Sequence, residues 1–153
     1  MSTIAAVIVI VSAILLVSSF TQYSFAFGDY DSISEWGEFG ISTPGHFSYP
    51  QFIAVDDDGN SYVSDLGNKR IQKFSSTGDF VLTWGHSGTL PGEFHYPSGI
   101  AVNEEFVFVA DHDLHSVQKF SLNGTFVDQW GSYGQHDGDF KYPYGVTLDS
   151  KNN

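Results

Sequence analysis

Hydrophobic and polar positions follow one another along this chain in short runs broken by turn residues. Phe52–Val55 is apolar and leads into Asp56-Asp57-Asp58-Gly59-Asn60. That is hairpin chemistry, because Gly and Asn accept positive φ at little cost. Ser61–Asp65 comes next, then a turn over Leu66–Lys69. Arg70–Phe74 alternates polar and apolar, as a half-buried strand does. Ser76-Thr77-Gly78-Asp79 turns the chain into Phe80–Trp84. The plan then repeats with Gly99–Val102, Phe106–Asp111, Ser116–Phe120, an Asn123-Gly124 turn and Thr125–Trp130. Short strands at this spacing, without helical periodicity, predict an all-β fold.

The repetition has a period. Trp-Gly pairs begin at positions 36, 84 and 130, and Tyr-Pro pairs at 49, 96 and 142. Asp65 and Asp111, Phe74 and Phe120, and Gly78 and Gly124 each stand 46 residues apart. Four antiparallel strands in a repeat of that length predict a β-propeller blade. The reading gives a propeller segment over 27–153, with blades at 51–84 and 98–130 and partial strands at 30–36 and 144–149. Trp36, Trp84 and Trp130 are expected to pack between blades, as are Phe47, Phe94 and Phe140, because packing positions recur in every blade. A closed ring takes about 4–8 blades, so this one is expected to be incomplete. A fragment of a longer propeller is the favoured explanation. Self-association to complete the ring, or completion by a second chain, are the alternatives.

Gly99-Ile-Ala-Val-Asn103, Val109-Ala-Asp111 and the run D-x-x-N-x-R-I-Q-K-F from Asp65 to Phe74, each followed by a Trp-Gly, resemble the NHL repeat. WD-type and kelch blades differ in length and do not account for the Asp/Asn/Arg pattern. The resemblance implies that the first strand of each blade is innermost and the Trp-ending strand outermost. It says less about activity, since one fold hosts many functions. The second unit departs from the pattern, with Leu114 matching Asn68 and Ser116 matching Arg70.

Composition narrows the partners. The formal charge is −12, from 18 acidic and 6 basic residues. That disfavours nucleic acid, whose phosphates need clustered Lys and Arg, and docking on an anionic membrane. The chain has no Cys, so disulfides and thiolate metal sites are excluded. Ile4–Val17 is an apolar run of 14 residues broken only by Ser12 and preceded by no charged side chain. Its length suits a signal-peptide core better than a bilayer span. Ser24-Phe25-Ala26 places small residues so that cleavage after Ala26 completes a signal peptide over 1–26. The alternative is a retained anchor, with membrane contact only through residues 4–20. Either way the remainder is expected to be secreted or held at the extracytoplasmic surface.

Candidate chemistry is sparse. No G-x-S-x-G, phosphate loop or H-E-x-x-H motif occurs. The loop His112-Asp113-Leu114-His115 could hold a cation, but H-x-x-H in a loop is not a specific signature. Asp56–Asn60 lacks the bidentate Glu of a calcium loop and reads as a turn. No metal ligand is assigned and no cofactor is expected, calcium or zinc being the alternative. Asn123-Gly124-Thr125 is both a turn and an N-glycosylation acceptor. An amidating lyase that resembles NHL proteins would need His at equivalent positions of several blades. Here His46 aligns with Glu93 and Asp139. The expected function is therefore a non-enzymatic scaffold for a protein or small extracellular ligand. A propeller hydrolase or lyase with an axial metal is the alternative, and nucleic-acid binding is disfavoured. The binding residues expected are Tyr62, Asp65, Asn68, Arg70, Asp111, His112 and His115.

Overall fold

The computed structural model describes residues 35–149. The expected signal or anchor, its cleavage point after Ala26, and residues 30–34 of the expected first partial strand lie outside these. A short parallel pair opens the described chain, β1 (Glu38–Phe39) against β2 (His46–Phe47). Two four-stranded antiparallel sheets follow. The first is β3 (Pro50–Val55), β4 (Ser61–Asp65), β5 (Arg70–Phe74) and β6 (Phe80–Trp84), paired in chain order. The second is β7 (Pro97–Val102), β8 (Phe106–Asp111), β9 (Ser116–Ser121) and β10 (Phe126–Trp130), paired likewise. These are two meander blades, as the strand signals predicted.

The turns form for local reasons. Asp56 closes the β3–β4 hairpin by accepting from the backbone N–H groups of Asp58 and Asn60 at 3.1 and 2.8 Å. Burial opposes charge on that carboxylate, but hydrogen bonds from Asn60 and Tyr62 and the nearby Lys73 ammonium hold its pKa below the ordinary value. The acidic loop is thus turn chemistry. Between β4 and β5 a short 3-10 turn, Leu66–Asn68, ends on Lys69 in the left-handed region at φ 54°. His115 holds the matching place in the second blade at φ 55°.

The core lies between the sheets. Tyr62 and Ile71 of the first blade meet Ile100, Val107, Val109 and Phe120 of the second, with Phe94 from the connection between them. Trp84 ends the outer strand of the first blade yet packs 5.8 Å from the Phe120 ring of the second. Phe94 packs 5.6 Å from the same ring. Both expectations of inter-blade packing hold at these positions. Hairpin Gly124 leaves the space that the Trp84 ring fills, since a Cβ there would sit 2.8 Å from it. The inner strand β7 is largely buried and the outer strands are largely exposed.

Residues 144–149, expected as a strand, form no ladder among the described residues. The segment crosses β7 instead. Gly99 N–H donates to the Tyr144 carbonyl at 2.8 Å, and the Tyr144 ring packs 5.3 Å from Phe52. A strand needs a hydrogen-bonded neighbour along its length, and here that neighbour is met at one point.

Candidate functional site

The strands β3 and β7 begin at the Tyr-Pro pairs and end at the acidic hairpins, so each sheet has two unlike ends. At the hairpin end, Asp56, Asp57, Asp58, Asn103, Glu104 and Leu122 line a cavity of about 300 Å³. Among the described residues, no three His, Asp or Glu side chains converge on a point where a metal ion could sit.

At the Tyr-Pro end, the buried aspartates come first. Asp65 has no solvent exposure. Its Oδ1 accepts the Ser48 N–H at 2.7 Å. Its Oδ2 accepts from Asn68 Nδ2 at 2.7 Å, Arg70 Nε at 2.8 Å and Gln72 Nε2 at 3.1 Å. Those donors reach onward. Arg70 Nη2 donates to the Thr43 and His46 carbonyls at 2.8 and 2.7 Å. Asn68 Nδ2 donates to the Gly40 carbonyl at 3.0 Å, and its Oδ1 accepts the Ser42 N–H at 3.2 Å. Gln72 bonds the His46 carbonyl and the Gly45 N–H at 2.7 and 2.9 Å. The result is a clasp on the segment that precedes the first blade. A buried charge is tolerated where it is paired and every lone pair is used.

This places the sequence-derived site residues. Tyr62 is fully buried, its ring edge-on to Trp84 and its hydroxyl donating to Asp56 Oδ2 at 3.0 Å. Burial and that hydrogen bond push its pKa well above the ordinary phenol value. Asp65, Arg70 and Asp111 are buried as well, and Asn68 is spent on the clasp. Tyr62, Asp65, Arg70 and Asp111 are thus turned inward, while half-buried Asn68, with Arg70, reaches the backbone of the connecting segment.

His112 and His115 differ. The His112 ring lies 5.0 Å from Tyr96 and 4.9 Å from Tyr142. The His115 ring lies 4.9 Å from Tyr133 and 4.7 Å from Tyr142, and its Nδ1 accepts the Tyr142 N–H at 3.2 Å. Asp113 bridges two imidazoles, His112 Nδ1 at 2.6 Å and His95 Nδ1 at 3.1 Å. The His112 hydrogen bond, with help from His95 and against partial burial, lowers the Asp113 pKa. Tyr133 is 63% exposed and Tyr142 56%. Tyr144 is half exposed and its hydroxyl bonds Gln51 Oε1 at 3.1 Å. Sequence reasoning found the two histidines and missed the tyrosines around them. Tyr96 and Tyr142 belong to the repeated Tyr-Pro pairs, whereas Tyr133 and Tyr144 stand where the preceding unit has Ser87 and Ser98.

A family model described as "NHL repeat" matches residues 47–74, the stretch that contains the first three strands of the first blade. The chain carries an NHL repeat. Over 68 residues, 44% of its length, the chain is 35% identical to the protein brain tumor of Drosophila melanogaster. It spans 6% of that protein. Among solved structures it resembles Kuenenia stuttgartiensis hydrazine synthase, with a TM-score of 0.56 and 13% identity over 74% of this chain and 30% of that one. It also resembles virginiamycin B lyase from Staphylococcus aureus, with a TM-score of 0.53 and 17% identity over 73% and 35% of the two chains. Regucalcin from Agrobacterium tumefaciens, a calcium-binding protein, gives 0.50 and 15% over 67% and 34%. At these identities the likeness is one of fold, and the fold it supports is a β-propeller.

Proposed function

We infer that this NHL chain is an exported, non-enzymatic binding module, and that the Tyr–His face at its Tyr-Pro end meets a protein or small extracellular ligand. The carrying observation is the cluster in which exposed Tyr133, Tyr142 and Tyr144 surround His112 and His115. Tyrosine buries a large apolar ring at low entropic cost and keeps a hydroxyl for hydrogen bonding, which is why it concentrates at binding surfaces. His112 and His115 add polar groups that rings and a carboxylate hold in place. The export reading rests on the apolar run Ile4–Val17 and the small residues before Ala26.

Screening the chain against arrayed extracellular proteins and glycans tests the binding reading. The H112A/Y142A double variant, with wild-type circular dichroism, is the paired control. Loss of at least about tenfold in affinity is expected if these two rings lie at the centre of the contact. Binding that survives the double change sinks this choice of face. A fusion to a reporter active only after export tests the other half, and a silent reporter would remove it.

A further inference from the structure

Two hairpins of this chain close in the same way and carry different chemistry. The β5–β6 turn reads Ser75-Ser76-Thr77-Gly78-Asp79, and the β9–β10 turn reads Ser121-Leu122-Asn123-Gly124-Thr125. In the first, Ser75 N–H donates to the Asp79 carbonyl at 2.8 Å and Gly78 N–H to the Ser75 carbonyl at 2.9 Å. In the second, Ser121 N–H donates to the Thr125 carbonyl and Gly124 N–H to the Ser121 carbonyl, both at 2.9 Å. Gly78 and Gly124, rather than the residues before them, supply the positive φ, at 87° and 81°. The backbone at position 123 is therefore one that Thr77, a β-branched residue, adopts in the first blade. The turn does not call for Asn there.

The Asn123 side chain is held by one atom. Its Oδ1 accepts from Thr125 Oγ1 at 2.9 Å and from Ser121 Oγ. Hydroxyls serve either end of an amide, but Thr125 N–H, with its nitrogen 3.3 Å from the same atom, can only donate. The near atom is therefore the oxygen, and Nδ2 takes part in none of these bonds. Asn123 and Thr125 are both exposed.

Asn-x-Thr is the acceptor signature for an N-linked glycan, and 123–125 is its sole instance in the chain. The geometry meets the chemistry that signature stands for. The reacting atom is Nδ2, which is free here. The Thr125 hydroxyl sits on the amide oxygen, where negative charge grows as Nδ2 loses its proton. The hairpin tip gives room for a bulky sugar.

We propose that Asn123 Nδ2 is an N-glycan acceptor, and that its glycan stands on the hairpin end of the blade, opposite the Tyr–His face. The donor is an oligosaccharide linked through pyrophosphate to a lipid. Nδ2 gives a proton to a base of the transferase and bonds to C1 of the first sugar. The C1–oxygen bond to the phosphate breaks, and the lipid pyrophosphate leaves with the electron pair. The placement follows from the strands. β9 runs from the His112–His115 loop at the Tyr-Pro end down to Ser121, and Leu122 beside Asn123 lines the acidic cavity at the hairpin end. A hydrated chain rooted there leaves Tyr133, Tyr142 and Tyr144 open to a ligand. In the cell this modification rests on the export reading, because such glycans belong to exported proteins.

The test is free of that dependence. The purified full chain, in a non-ionic detergent because of its apolar run Ile4–Val17, is incubated with a single-subunit oligosaccharyltransferase and a lipid-linked oligosaccharide of known mass. Intact mass should rise by one oligosaccharide. Asn123→Gln and Thr125→Ala should abolish the rise, and Thr125→Ser should restore it. A folded native chain that stays unmodified overturns the proposal, and so does a rise that survives Asn123→Gln. Amide NMR of the product reads the placement. Shifts at Leu122 and Thr125 with none at His112 and Tyr142 are expected, and shifts at His112 and Tyr142 overturn the placement on the hairpin end. A silent export reporter beside a modified chain removes the export reading and leaves Asn123 an acceptor.

Discussion

Asp65 and Asp111 occupy one place in successive blades, each at the end of a second strand and each without solvent exposure. Across the ladder Asp65 faces Arg70 and Asp111 faces Ser116. Asp65 is satisfied by three side chains and one backbone N–H. Asp111 is satisfied by backbone alone. His95 N–H donates to its Oδ2 at 2.8 Å, and Tyr96, Asp113 and Leu114 N–H donate to its Oδ1 at 2.9, 3.2 and 3.1 Å. One buried carboxylate therefore needs donors, but the fold does not dictate which. Where side chains supply them, those side chains have reach left over to clasp the neighbouring segment. Where backbone supplies them, the loop after the strand is drawn in and its histidines are turned to the surface.

The largest effect that would sharpen this contrast is at Asp65. Asp65→Ala leaves the Arg70 guanidinium buried without its partner, which should cost about 3–5 kcal/mol in chemical denaturation. Asp111→Ala strands neutral N–H groups near the surface and should cost about 1–3 kcal/mol. A reversed order would break the comparison. Arg70→Ser is expected to fall between them, at about 2–3 kcal/mol, because Asn68, Gln72 and the Ser48 N–H remain on Asp65. If Arg70→Ser costs nothing measurable, the clasp is ornamental.

The smallest effect concerns pH. Asp113 has its pKa lowered by His112 and His95. Its folded pKa lies below the unfolded one, so its contribution is present above about pH 3.9 and is lost as pH falls through the folded value. Carboxyl NMR should show Asp113 titrating below the ordinary Asp range, and His112→Ala should move its midpoint upward. An unmoved midpoint would remove His112 as the cause.

The strand plan was legible in the chain before any coordinates. Arg70-Ile-Gln-Lys-Phe74 alternates because one face of a pleated strand is buried, and Asp-Gly and Asn-Gly turns mark hairpins by φ preference. The packing role of Trp84 and Phe94 was legible too, since positions that recur with the blade are those the blades need. The site was less so. Asp65, Asn68 and Arg70 share a motif with a functional look, but Asn68 and Arg70 donate to the carbonyls of Gly40, Thr43 and His46, 24 to 28 residues away. No local pattern records which distant backbone a strand end will meet.

By itself, then, the sequence determined the local conformations, because side-chain period and turn chemistry act over a few residues. It determined the repeat, because equivalent positions carry equivalent packing. Only the tertiary structure decided which polar residues are spent inside and which face outward. Burial of a charge depends on donors brought from another part of the chain, and Asp65 and Asp111 found different ones. The same assembly packs Trp84 against Phe120 of the following blade, a contact 36 residues away along the chain that no local pattern records.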